Sequence, residues 1–345
     1  MKNAKEEYVI PQLFWRSALK LQAAIMTSSS LQPKLIFLWI VPRTCSTALT
    51  KCMTFVDDTE VWVEPYFACH FNETFYNPNF RKGDPVADRM RETLKKNESS
   101  ETMREIRKEM TKKVEQSPNL IDQKDISYQW VKKQLERSDS GKKFIFVKDQ
   151  SVGINGHFDY LPDVPTHHTF IIRHPKETYL SFKSMTWKRL DFDGTKSWDE
   201  WNTADETPFL PVREFFQIHY NNWKHFQKTS GNEPIIIDGY DLASKPEVIL
   251  PKYFEQLGIP YKKSYLQWDS AEDIIDKKWK GSADFVLMEP KTVVYARAVK
   301  SSTFEPPKVP RGTPSNPEWS ITPELEEMIN GALPFYEEMF QARLQ

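Results

Sequence analysis

A chain of 345 residues has room for one large domain or two ordinary ones, and for a core that needs neither disulfides nor metal. Hydrophobic residues at 39% and charged residues at 28% exclude a disordered chain. Forty-seven Lys and Arg against 48 Asp and Glu exclude a generally basic nucleic-acid binder and leave room for a local basic pocket.

Residues 1–33 form an N-terminal extension in which Leu13, Phe14, Ala18, Leu21 and Ile25 repeat at helical spacing. The stretch lacks the unbroken apolar core of a signal peptide and carries Glu6 and Glu7 early. No run reaches the roughly 18 apolar residues of a membrane span. A cytoplasmic protein with no membrane partner is therefore expected. Cys45, Cys52 and Cys69 are too few and too irregular for a disulfide framework or a zinc site, so reduced thiols and no metal are expected.

Four apolar runs follow: Leu35 to Val41, Phe144 to Val147, Thr169 to Ile172 and Ile235 to Ile237. Each is near-continuous rather than alternating, as in strands covered on both faces. With helical patterns between them they predict a three-layer α/β domain over 34–345, its mostly parallel central sheet flanked by helices. Val61 to Val63 predicts a shorter strand. A charged helical insertion is expected at about 84–140, with solvated helices from Asp84 to Glu115. Asp191 to Pro211 reads as loop. The segment 305–317, with five prolines, reads as extended, and Pro323 to Leu344 as a closing amphipathic helix.

The strand LIFLWIV runs into Pro42-Arg43-Thr44-Cys45-Ser46-Thr47 and then a helix-compatible stretch. Strand, tight polar loop and helix together make an anion site, because free N–H groups and the helix dipole meet at the helix start. Thr44, Ser46 and Thr47 add hydroxyls, and Arg43 adds a permanent charge. G-x-x-x-x-G-K-[ST] is absent, which argues against an ATPase or a kinase. An ordinary capped βα turn is the plainer alternative.

A second motif, Arg173-His174-Pro175, stands at the end of the strand Thr169 to Ile172, where open α/β sheets bind ligands. Ser181 lies eight residues beyond Arg173. A helix opened by Pro175 brings it back toward the strand end.

Taken together and in this order, PRTCST and RHPKETYLS resemble the P-loop sulfotransferase family. Phe146-Val147-Lys148-Asp149 and the stretch Ile235 to Tyr261 resemble its less-studied bacterial and invertebrate branch. The resemblance covers about residues 34–305. It implies a first loop, Arg43 to Thr47, that holds the 5′-phosphosulfate of 3′-phosphoadenosine 5′-phosphosulfate (PAPS). It implies that Arg173 and Ser181 hold the 3′-phosphate. The reaction implied is transfer of a sulfuryl group to a hydroxyl of a small-molecule acceptor, leaving adenosine 3′,5′-bisphosphate. Two departures stand out. Arg43 occupies the place of the Lys of many members, and Cys45 that of the usual loop glycine. Arg297, Lys300 and Ser301 are candidates to replace a late basic signature, with Arg311-Gly312 behind them. A P-loop nucleotide phosphotransferase and a catalytically silent nucleotide-binding module remain as alternatives.

Sulfuryl transfer needs a base within reach of the acceptor hydroxyl. Glu64, at the end of the short strand and before Pro65, is the first candidate and His70 the second. Lys148 and Asp149 can line the same crevice, and Trp62, Trp187, Trp198 and Trp201 are candidates for an apolar acceptor cleft. His167 and His168 read as structural.

Overall fold

The run KLIFLWI forms β1 (Lys34–Ile40), and its alternation explains why Leu35 to Ile40 are all apolar. Leu35, Phe37 and Trp39 pack into one buried cluster, and Ile36, Leu38 and Ile40 into a second on the opposite face. A strand buried on both faces favours apolar side chains at every position. The computed structural model describes residues 32–137, 140–191, 194–270, 278–288 and 295–345, so the N-terminal extension lies almost wholly outside the described residues.

In chain order β1 is followed by α1 (Ser46–Thr54), β2 (Thr59–Val63), α2 (Pro65–Glu73), α3 (Pro85–Glu98), α4 (Glu101–Gln116), β3 (Leu120–Ile121) and α5 (Tyr128–Leu135). Then come β4 (Phe144–Gln150), β5 (Thr166–Ile172), α6 (Pro175–Leu190) and α7 (Phe215–Thr229). The chain continues through β6 (Ile235–Asp238), α8 (Gly239–Ser244), α9 (Pro246–Leu257), β7 (Trp279–Ser282), α10 (Ala296–Lys300) and α11 (Pro323–Gln341).

Seven strands form one sheet in the order β3-β7-β2-β4-β1-β5-β6, and every pairing is parallel. Helices cover both faces. Leu49 and Met53 of α1 and Tyr253 and Phe254 of α9 close one core, while Tyr66 of α2, Trp223 of α7 and Met328 of α11 close the other. The order reverses at β1, which puts a crevice at the carboxyl ends of β1, β4 and β5.

Local signals set the helix starts. Pro65, Pro175 and Pro323 each sit at a first helical turn, where the missing N–H has no partner to lose. The Thr322 hydroxyl caps α11, and Gly258, at φ 64°, ends α9.

The charged segment after Asp84 is two helices broken at Ser99-Ser100, with the Ser100 side chain capping α4. After α4 the chain enters the sheet as β3, which pairs with β7 at the edge. Neither strand shows in the sequence: β3 has two residues, and β7, Trp-Lys-Gly-Ser, carries no apolar run. Residues 305–317 contain no helix or strand, as their prolines dictate.

Candidate active site

Five strand exits converge on one cavity of about 920 Å³. β1 leads into Pro42 to Ser46, β2 into Glu64, β4 ends in Lys148 and Gln150, β5 leads into Arg173, and β6 leads through Asp238 to Gly239.

The first loop turns sharply. Arg43 and Cys45 both have positive φ, 72° and 66°. Among the described residues five non-glycine residues have positive φ, and three of them, Arg43, Cys45 and Glu64, line the cavity. Strain of this kind gathers at ligand sites, where the surrounding structure enforces it. Cys45 thus takes the left-handed conformation that a glycine would supply freely. No side chain caps α1, so its first N–H groups are left for the cavity side. Thr44, fully buried, donates its hydroxyl to the Val41 carbonyl at 2.9 Å and so braces the turn, while Ser46 and Thr47 line the cavity. A Cβ at Gly239 would lie 2.5 Å from the Thr44 carbonyl oxygen, so the β6 exit must be glycine for the loop to sit there.

The second motif closes on the first. Ser181, on α6, accepts a hydrogen bond from Arg43 Nε at 3.0 Å. Arg173 donates from Nη1 to the Arg43 carbonyl at 3.0 Å and from Nε to Glu177 at 2.8 Å. The other Glu177 oxygen accepts from the Gly312 N–H at 2.7 Å, which ties the proline-rich segment to the motif. Pro307, Lys308 and Val309 of that segment line the cavity beside the loop. The late candidates divide. Ser301 lines the cavity, with its carbonyl receiving Lys51 at 2.8 Å. Lys300 is exposed and is not a lining residue. The Arg297 side chain lies outside the described residues. Arg311 is committed to Asp238 and Asp241, at 3.0 and 2.8 Å.

Glu64 is buried at the mouth of α2, with φ 52°. Its Oε1 receives the Lys148 ammonium and the Tyr295 hydroxyl, the latter at 2.8 Å, and its Oε2 receives the Gln150 amide at 3.0 Å. Lys148 also lies 4.7 Å from the Tyr295 ring centre, a cation–π contact. Lys148, Gln150 and Tyr295 all line the cavity. Sequence reasoning named Lys148 and missed Gln150 and Tyr295. The adjacent Gln in Lys-Asp-Gln was a legible signal, whereas nothing near Tyr295 marks it. Asp149, between them, points elsewhere: it accepts the Tyr66 and Phe67 N–H groups at 2.6 and 3.0 Å and so caps α2. Burial pushes its carboxyl well above the usual carboxylate range.

His70 is not brought to this cluster. It stacks behind Phe67, its Nε2 lies 3.3 Å from the Phe209 carbonyl, and it is not a lining residue. Burial lowers its pKa. His168 is structural: its Nδ1 accepts from the Trp39 indole at 3.1 Å, and its ring stacks on Phe226.

The rest of the cavity is apolar. Phe67, Phe71, Phe75, Met185, Phe209 and Phe285 line it, from α2 and the turn after it, α6, the 207–210 loop and the short helical segment after β7. The tryptophans expected there are elsewhere. Trp62 and Trp201 are core residues, and Trp187 and Trp198 bond the Lys196 and Ser320 carbonyls. The charged helices do contribute, through Met90 of α3 and Met103 and Arg107 of α4. Among the described residues no three His, Cys, Asp or Glu side chains are grouped to hold a metal ion, and no helix is long and apolar enough to cross a membrane.

This is an α/β fold whose strand exits bring Arg43, Lys148, Arg173 and Glu64 to one cavity. No family model matches the chain, and no curated protein matches it. A solved structure to which it is similar is titled "Sulfotransferase Domain from the Curacin Biosynthetic Pathway". That chain is 13% identical, with a TM-score of 0.40, and the match covers 86% of this chain and 96% of that one. A likeness of that depth says nothing of this chain's donor or acceptor.

Proposed function

We propose that this chain is a sulfotransferase that moves a sulfuryl group from PAPS to a hydroxyl of a small-molecule acceptor by in-line displacement. The observation that carries the reading is the joining of the two motifs: Arg43 bonds Ser181, Arg173 bonds the Arg43 carbonyl, and all three line one cavity with Glu64.

The residues present suit the donor. The uncapped start of α1, with Arg43, Ser46 and Thr47, takes the phosphosulfate end, and Arg173 and Ser181 take the 3′-phosphate. The donor brings an activated sulfuryl group on a phosphate leaving group. Arg43 stabilises the charge that gathers on that phosphate and, unlike a lysine, keeps its own proton. Glu64 takes the proton of the acceptor hydroxyl, and Lys148, Tyr295 and Gln150 fix where its carboxylate points. Lys300 has no part in this reading.

Calorimetric titration with adenosine 3′,5′-bisphosphate and with ADP tests the donor. The expected result is at least tenfold preference for the bisphosphate, reduced by Arg173→Ala. Preference for ADP or ATP would favour a phosphotransferase. Binding of the bisphosphate without turnover of radiolabelled PAPS across a panel of alcohols would favour a silent nucleotide-binding module.

A further inference from the structure

Three phenylalanines lead away from the proposed base. Glu64 precedes α2, and Phe67, Phe71 and Phe75 follow at four-residue steps, all lining the cavity. Phe67 and Phe71 lie one turn apart on one face of α2, and Phe75 follows just past the helix end at Glu73, so the row leads outward from Glu64. The rings are in contact: Phe67 and Phe71 lie 4.7 Å apart by ring centres, and Phe71 and Phe75 5.4 Å. Phe209 meets Phe75 at 5.1 Å and Phe285 meets Phe71 at 5.5 Å, so the wall is continuous on two more sides.

The polar groups among these residues are already engaged. Arg107 and the Tyr76 hydroxyl both bond Asp284, each at 2.6 Å, and Glu98 accepts from Arg107 at 3.5 Å. Thr186 donates to the Phe182 carbonyl at 3.1 Å and Thr207 to the Thr203 carbonyl at 2.6 Å. A ligand rich in hydroxyls would leave its water partners and find few replacements in this lobe. A carbon body with no polar groups would lose nothing and gain the burial.

We infer that the acceptor is a lipophilic alcohol: one hydroxyl at the leading end of an unbranched or fused-ring carbon body about as long as the Phe67–Phe71–Phe75 row. The hydroxyl stops at Glu64 and the body lies along the phenylalanines. The inference rests on the reading of Glu64 as the acceptor end of the site. A cavity of about 920 Å³ is near the top of the roughly 300–1,000 Å³ range of single-ligand sites, in keeping with one that holds a nucleotide and such a body side by side.

Calorimetric titration of the full chain with primary n-alkanols from butanol to dodecanol, without nucleotide, tests the lobe. Affinity is expected to rise about three- to fourfold per added methylene and then level off once the row is covered. Phe75→Ala, which shortens the row at its outer end, is expected to move the levelling point to shorter alcohols and leave the shortest ones unchanged. A series that is flat with length overturns the inference. So does an unmoved levelling point in Phe75→Ala, or galactose binding as tightly as octanol. Should the variant not fold, the wild-type series and the galactose comparison decide alone. Failure of adenosine 3′,5′-bisphosphate to bind in a separate titration would end the donor reading without touching this result.

Discussion

Arg43 and Ser181, 138 residues apart, meet through a 3.0 Å hydrogen bond from the guanidinium Nε to the hydroxyl oxygen. One belongs to the β1 exit and the other to the helix that follows β5, so the bond fixes the two anion motifs relative to each other. Arg43→Ala is expected to lower turnover by about 10²–10³, the scale for losing one donor to a developing oxyanion. Ser181→Ala removes a neutral hydrogen bond and is expected to weaken adenosine 3′,5′-bisphosphate by about tenfold or less. Steady-state kinetics and calorimetry separate the two effects. Equal effects of both variants on affinity alone would count against Arg43 acting on the leaving group.

Glu64 and Lys148 are a buried ion pair, so removing either charge strands the other. Glu64→Gln is expected to lower stability by up to about 3–5 kcal/mol as well as turnover by about 10²–10⁴. The double variant Glu64→Gln/Lys148→Met removes both charges and is expected to recover much of the thermal midpoint while turnover stays lost. Recovery of turnover along with stability would show that Glu64 matters only to folding.

Cys45 holds a left-handed backbone at the start of α1. A residue with a Cβ is disfavoured there by about 1–2 kcal/mol. Cys45→Gly relieves that strain but adds chain entropy to the unfolded state, so the net gain expected in urea unfolding is about 1 kcal/mol or less. Cys45→Val, β-branched in the same conformation, is expected to destabilise the fold and weaken the bisphosphate. A Val variant as stable as the parent would contradict the loop geometry.

His219 is fully buried, with its Nδ1 2.6 Å from the Ser151 hydroxyl, and burial pushes its pKa down to about 3. Its ordinary value is near 6.5, so between those values the unfolded chain binds a proton that the folded one refuses. Its contribution to stability is therefore complete above pH 6.5 and is lost as the pH falls toward 3. From pH 7 to pH 4 the loss expected from this group alone is about 3 kcal/mol. Urea unfolding at the two pH values should show that difference shrinking in His219→Phe. An equally steep fall in the variant would place the acid sensitivity elsewhere.

The side of the cavity that holds Arg43 and Arg173 was legible because its signals are local. LIFLWIV followed by PRTCST, and a strand followed by Arg-His-Pro, each compress strand, turn and helix start into a few residues, and these folded as the pattern implies. Glu64 was legible for the same reason, since it ends a strand and precedes a proline. Tyr295 and Phe285 reach the cavity from the turn regions after β7, a strand whose residues Trp-Lys-Gly-Ser carry no strand signal. His70 and the tryptophans misled because residue type says what a side chain can do and not which way its helix turns it. His70 is three residues beyond Phe67 and faces the protein instead of the cavity.

The carboxyl edge of the sheet carries Arg43, Lys148 and Arg173, whereas the phenylalanine wall is supplied by α2 and the turn after it and by segments near 90–107, 182–190, 207–210 and 284–285. Much of the latter lies outside the sheet, joined to it by turns instead of by strand pairing. Exchange of those segments between related chains would therefore alter what enters the lobe without moving β1 or β5. A lineage built on this scaffold has a fixed half and an adjustable half, and its members would diverge first in the compounds they accept.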